Sequence, residues 1–173
     1  IFARKISPTQ FGASSASNLA FASNAPLQQA IARMFVTQAT SPGSDTVISG
    51  PPSRILARLI AEFKKPLAEQ EQFVLGIYKR GPREDGHALT PYAVVKTNGA
   101  GGHRILVYDN NYPGQKRYID VDTVAETFRY VGAPNPNAAE EIYEGDAETQ
   151  SLDLTPISPR LERQDCAFCD ADA

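Results

Sequence analysis

Cysteine is almost absent from this chain of 173 residues, which has only Cys166 and Cys169, both near its end. Two cysteines are too few for a disulfide framework, and they do not identify a redox compartment. Their spacing is that of half a zinc site or a redox dithiol, but no second pair of ligands accompanies them. We therefore expect free thiols or a local disulfide here, and neither a metal nor a cofactor.

Long apolar runs and long basic runs are also missing. No stretch approaches the roughly 18 apolar residues of a bilayer-spanning helix, so no membrane span is predicted. Seventeen Lys and Arg against 20 Asp and Glu give a net charge of −3, and the basic residues form no run that could follow a phosphate backbone. Nucleic acid is therefore not expected as a partner, and the sequence indicates no compartment.

The residues that are present indicate a folded domain that begins with helices. Hydrophobic residues make up 42% and charged residues 21% of the chain, as in ordinary globular proteins. Apolar residues recur at helical spacing in LQQAIARMFVTQA, after Asn24, and in SRILARLIAEFKK, after Gly50. These patterns predict two helices, each with one buried face, and Asn24 is expected to cap the first.

From residue 72 onward the apolar pattern changes to alternation, which predicts strands. Five runs are rich in Val, Ile, Tyr and Phe: residues 72–79, 88–97, 103–109, 116–122 and 126–131. Helices followed by mostly antiparallel strands predict an α+β domain over residues 1–131. Residues 132–173 are rich in Pro, Asn, Ala and Glu, and we expect an extended C-terminal segment with one short strand at 151–154.

A hairpin between the second and third strands would bring two polar residues together. TNGAGG, residues 97–102, predicts a tight turn because Asn and Gly tolerate positive φ. If the paired residue numbers have an even sum, His87 and Asp109 lie on one sheet face, whereas a single bulge would reverse this. A carboxylate beside an imidazole orients the ring and stabilises its protonated form, as a base for a nucleophile requires. The alternative is a loop histidine beside an ordinary turn.

Three stretches carry a resemblance to a known family: GHALTPYAVV, RILVYDNNYPG and RYIDVD. They resemble the His and Asp/Asn portion of papain-like cysteine peptidases, particularly bacterial double-glycine (bacteriocin-processing) peptidases. The resemblance implies a papain-like α+β fold over residues 1–131, with N-terminal helices packed on an antiparallel sheet. It also implies peptide or amide hydrolysis, in which His87 is the general base and Asp109 its orienting partner, and a peptide or protein as substrate or partner.

The nucleophile of that family, a cysteine at the start of an N-terminal helix, has no counterpart before Cys166. Three explanations are open. Sequence upstream of Ile1 supplies the cysteine, which is the explanation we favour; the domain has lost it and serves as a binding or structural subunit of a larger assembly; or Ser14 or Ser15 replaces it. The serine is least favoured because a hydroxyl is far harder to deprotonate than a thiol.

Overall fold

The computed structural model describes residues 8–14, 18–79, 81, 84–133 and 137–165. The chain divides into two compact units, one of residues 1–46 with 158–173 and one of residues 47–157. Helices and an eight-stranded antiparallel sheet make it an α+β protein, as the sequence predicts. Within the described part of the chain, no helix has the length and apolar character needed to cross a membrane.

The first unit contains the helices α1, Ala25–Val36, and α3, Ser158–Leu161. The predicted cap is confirmed, because the Asn24 side chain accepts a hydrogen bond from the Leu27 N–H at 3.1 Å. The predicted buried face of α1 is wrong. Leu27 is the buried residue of this helix, whereas Phe35 is 69% exposed.

The second unit contains the helix α2, Pro52–Phe63, whose apolar stripe is found as predicted. Ile55, Leu56 and Leu59 are at most 2% exposed and belong to the core that α2 shares with the sheet. The Ser53 N–H, in the first turn, donates to the Glu126 carboxylate at 3.0 Å. This contact satisfies one of the N–H groups that a helix start leaves without a partner, and it places a negative charge at the positive end of the helix.

Eight strands form the sheet of the second unit in the order β1-β8-β2-β3-β4-β5-β6-β7, and all neighbours are antiparallel. The five predicted strands are confirmed as β2 to β6. The bounds of the strands are Ile48–Ser49 (β1), Phe73–Ile77 (β2), His87–Lys96 (β3), Gly102–Tyr108 (β4), Arg117–Asp122 (β5), Thr127–Gly132 (β6), Glu141–Asp146 (β7) and Leu152–Pro156 (β8).

Residues 132–173, expected as an extended segment with one short strand, contain a second strand, β7, that was not expected. The short strand expected at 151–154 is present as β8, but it lies inside the sheet between β1 and β2. All five residues of β8 are buried, although its sequence LDLTP alternates between apolar and polar residues in the way typical of a strand with one exposed face. In β7 a single buried apolar residue, Tyr143, stands among charged and exposed residues.

The sheet curls, so that β7 comes back to the start of β3 although β4, β5 and β6 lie between them. The ring centroids of His87 and Tyr143 are 6.3 Å apart. Lys79, which follows β2, forms an ion pair with Glu141 at the start of β7, and its Nζ lies 4.8 Å from the Tyr143 ring centroid. Accumulated strand twist produces such curvature. The curl brings β2, β3 and β7 together around His87.

A continuous hydrophobic core fills the space between α2 and the concave face of the sheet. Both helical and strand residues contribute to it, and two tyrosines of β6 and β7 belong to it. Its buried members are Ile55, Leu56, Leu59, Phe73, Leu75, Ile77, Leu89, Ile105, Val107, Ile119, Val121, Phe128, Tyr130, Tyr143, Leu152 and Leu154.

Candidate functional site

The hairpin of β3 and β4 brings His87 and Asp109 to one face of the sheet by means of a bulge. Next to the turn, the numbers of two paired residues add up to an odd sum, as in Lys96 with His103. At the open end of the hairpin they add up to an even sum, as in Thr90 with Tyr108. The change occurs at Tyr92, which has no partner in the ladder. An odd register kept to the end of the hairpin would place His87 and Asp109 on opposite faces. His87 and Asp109 therefore share a face because of the bulge. The prediction from the sequence had them share a face in a hairpin without a bulge.

The two side chains are in direct contact. His87 is the first residue of β3, Asp109 directly follows β4, and the distance from His87 Nε2 to Asp109 Oδ2 is 2.9 Å. The side chains are 9% and 0% exposed. A carboxylate can only accept, so Nε2 carries the proton and donates it. The imidazole makes no other hydrogen bond within the described residues, and Nδ1 therefore retains its lone pair for an incoming proton.

The carboxylate of Asp109 accepts two further hydrogen bonds. The hydroxyl of Tyr130, on β6, donates to Oδ2 at 2.5 Å, and the backbone N–H of Asn111 donates to Oδ1 at 2.8 Å. The Asn111 side chain in turn donates to the Ala133 carbonyl at 2.8 Å, which ties the turn to the end of β6. A fully buried carboxylate requires such partners, because burial without them is costly.

Two buried tyrosines, for which the sequence patterns predict no role in the site, pack behind the pair. Tyr130 and Tyr143 are each 1% exposed, and their ring centroids are 6.3 Å apart. Burial raises the pKa of Tyr130, and the hydrogen bond to Asp109 raises it further. Burial also raises the pKa of Tyr143. The Tyr130 hydroxyl thus stays a neutral donor at every ordinary pH. The alternation of ETFRYV, which puts Tyr130 on the face of Phe128, is the signal that marks it as buried.

A cation borders Tyr130 on the side of the DNNYPG turn. The Arg117 guanidinium lies 4.0 Å from the ring centroid of Tyr112 and 5.7 Å from that of Tyr130. It also donates to the Val131 carbonyl and, at 2.8 Å, to Glu140. Hydrogen bonds from Arg117 and Tyr112 lower the pKa of the Glu140 carboxyl. The guanidinium is therefore neutralised and fixed in place, and it stiffens the rim of the site.

The other candidates from the sequence are two serines and two cysteines. Ser14 belongs to the first unit, is exposed, and accepts a hydrogen bond from Asn18 at 3.2 Å. The other histidine of this sequence, His103, lies at the turn end of the hairpin, and its Nδ1 donates to the Gly101 carbonyl at 2.9 Å. Among the described residues no group of three or more His, Cys, Asp or Glu is arranged to hold a metal. The candidates outside the described residues are Ser15, Cys166 and Cys169.

Comparisons with protein-family models, curated proteins and solved structures find no match to this chain. The fold and the site define an α+β protein with a buried histidine–aspartate pair at the open end of a bulged hairpin. The chemistry of the pair is accordingly inferred from its geometry and from the sequence resemblance.

Proposed function

We propose that this is a papain-like cysteine-peptidase-type domain, in which His87 and Asp109 are the general base and its orienting partner. The supporting observation is the state of the imidazole: Nε2 is held at 2.9 Å by a buried carboxylate, while Nδ1 has no partner among the described residues. A purely structural histidine with so little exposure normally has both nitrogens hydrogen-bonded. The packing of α2 on an antiparallel sheet agrees with this class of fold.

The proposed chemistry is thiol-dependent acyl transfer, most simply the hydrolysis of a peptide or amide bond. Nδ1 of His87 takes the thiol proton, and the thiolate attacks the carbonyl carbon. The imidazolium, stabilised by Asp109, gives that proton to the leaving amine as the C–N bond breaks and a thioester forms. Water, deprotonated by the same imidazole, then hydrolyses the thioester and restores the thiol. The thiol is a cysteine from sequence outside this chain, because no cysteine precedes Cys166.

A second function is favoured by that same lack of an internal nucleophile. The first 165 residues contain no cysteine, and Ser14, one of the two serine candidates, is exposed and accepts a hydrogen bond from Asn18. In this alternative the domain is catalytically inactive and binds a peptide or protein as a subunit of a larger assembly. His87 and Asp109 then only stabilise the end of the hairpin.

Thiol alkylation separates the two functions. The full-length protein, with Cys166 and Cys169 replaced by serine, is treated with iodoacetamide, and His87→Ala is compared with His103→Ala, which removes the chain's only other histidine. For the peptidase-type function we expect a reactive thiol whose alkylation at neutral pH slows by about 100-fold or more in His87→Ala, the usual range for loss of a general base, and is unchanged in His103→Ala. If the rate of alkylation is the same in His87→Ala as in the native protein, or if the full-length protein has no reactive thiol, the catalytically inactive alternative is supported.

A further inference from the structure

The hydroxyl of Tyr130 and the imidazole of His87 bind the same oxygen atom. Asp109 Oδ2 accepts from Tyr130 at 2.5 Å and from His87 at 2.9 Å, while Oδ1 accepts from the Asn111 N–H at 2.8 Å. Donors from three directions fix both the position of the carboxylate and its rotation about the Cβ–Cγ bond. The direction in which Oδ2 presents its second lone pair to His87 is therefore determined in part by Tyr130.

Tyr130 comes from a different part of the fold than the other donors. Asn111 lies in the same turn as Asp109, and His87 lies on the neighbouring strand, whereas Tyr130 lies on β6, with β5 between it and β4. Its ring is 1% exposed, is paired in the ladder with Tyr143, and lies 5.7 Å from the Arg117 guanidinium. A side chain held so firmly transmits the rigidity of the sheet to a carboxylate that follows the end of a strand.

We propose that Tyr130 is a positioning residue of the His87–Asp109 pair, whose hydroxyl holds the Asp109 carboxylate so that Nε2 stays engaged and Nδ1 stays free. This inference rests on the function proposed above for the pair. Without the hydroxyl, Oδ2 keeps one donor, and the carboxylate can turn about its Cβ–Cγ bond inside a buried site. The imidazole then loses its fixed orientation and its single tautomer.

The test compares two phenylalanine variants that each remove one buried hydroxyl. Tyr130→Phe deletes the donor to Asp109, whereas Tyr143→Phe changes a tyrosine of equal burial that forms no hydrogen bond to Asp109 among the described residues. Nitrogen-15 NMR of histidine-labelled protein reports the tautomer of His87 and the hydrogen exchange rate of its Nε2–H. We expect one tautomer and slow exchange in the native chain and in Tyr143→Phe. In Tyr130→Phe we expect mixed tautomers and exchange about tenfold faster or more, because hydrogen bonds to charged groups are the strong ones.

A measurement on the native chain covers the case in which Tyr130→Phe does not fold. Two protons that point at one oxygen lie close together, so the Tyr130 hydroxyl and the His87 Nε2–H should both give low-field proton signals joined by a cross-relaxation peak. Detection of this peak supports the proposal. Its absence, or identical tautomer and exchange behaviour in the two phenylalanine variants, overturns it.

The failure of this inference is distinguishable from failure of the proposed function. The NMR comparison uses the chain of 173 residues and requires no nucleophile, so it tests Tyr130 alone. An alkylation rate that is unchanged in His87→Ala refutes the peptidase-type function. Tyr130 then remains a structural partner of Asp109. If alkylation depends on His87, Tyr130→Phe should slow it by about tenfold and Tyr143→Phe should not.

Discussion

Deleting Tyr92 is expected to remove the bulge of β3 and to leave His87 facing Asp109. Tyr92 is the extra residue of the bulge, so without it Pro91 stays opposite Val107 and Ala93 stays opposite Leu106 in one continuous ladder. Every residue of β3 before the deletion then keeps its face, and His87 and Leu89 stay on the core side of the sheet. The control is Tyr92→Ala, which keeps the residue count and therefore the bulge.

A slip of the register, which the deletion should avoid, would be costly because two groups would change environment. Leu89 is 1% exposed in the native chain, and exposing a buried leucine costs about 1.5–3 kcal/mol. Asp109, which is 0% exposed, would lose its hydrogen bond from His87, and such a bond to a charged group is worth about 1.5–3 kcal/mol. A slip would thus reduce the free energy of unfolding by about 3–6 kcal/mol, a large part of the total for an ordinary domain, and the deletion should show no loss of this size.

Urea unfolding and histidine NMR together measure this effect. Because Tyr92 is 49% exposed, Tyr92→Ala should change the free energy of unfolding by less than about 1 kcal/mol and keep the His87 Nε2–H signal. The deletion should also keep that signal and should not lower the urea midpoint as a register slip would. A deletion variant that is strongly destabilised and lacks the signal would refute the assignment of Tyr92 as the extra residue of the ladder.

Two further predictions concern buried groups of the second unit. The raised pKa of Tyr130 means that the native state keeps a proton that the unfolded chain releases near pH 10, so stability should fall as pH rises above 10. Between pH 10 and 11 the free energy of unfolding in urea should fall by up to about 1.4 kcal/mol less in Tyr130→Phe than in the native chain. An equal fall in the two proteins would contradict the raised pKa of Tyr130. In Gly76→Ala the new methyl would overlap the Tyr78 hydroxyl and Asp153 Oδ1, so we expect a loss of about 1–3 kcal/mol in urea unfolding. Gly99→Ala, where a methyl meets nothing within 4 Å, is its control, and equal effects would be inconsistent with this packing.

The sequence predicts those parts of the fold whose signals are local. The stripe of α2 and the alternation in β2 to β6 each lie within a dozen residues, and the Asn and Gly of the 97–102 turn indicate the hairpin directly. The strand β8 is predicted too, but its burial on both faces and its place between β1 and β2 depend on long-range pairing, which its own residues do not specify. The contact of Tyr130 with Asp109 likewise depends on strand order and sheet curvature, which no short segment specifies.

The His87–Asp109 contact is not explained by stability alone. Two charged or polar groups taken out of water lose solvation that their attraction only partly returns, and replacing such a set by apolar residues of similar volume is often neutral or stabilising. In this protein the buried polar groups in contact are those of His87, Asp109 and Tyr130, all at most 9% exposed. A fold selected only for stability would therefore gain little from keeping them.

A triple replacement turns this reasoning into a measurement. In His87→Leu with Asp109→Leu and Tyr130→Phe, every member of the buried polar set becomes apolar, and we expect a free energy of unfolding within about 1 kcal/mol of the native value, or above it. Asp109→Leu alone leaves the His87 and Tyr130 donors without their acceptor and should cost about 3–5 kcal/mol. Urea unfolding at pH 7 compares the two. If the triple variant is less stable than Asp109→Leu, the polar set contributes to folding in its own right, and its burial ceases to favour a chemical role for the pair.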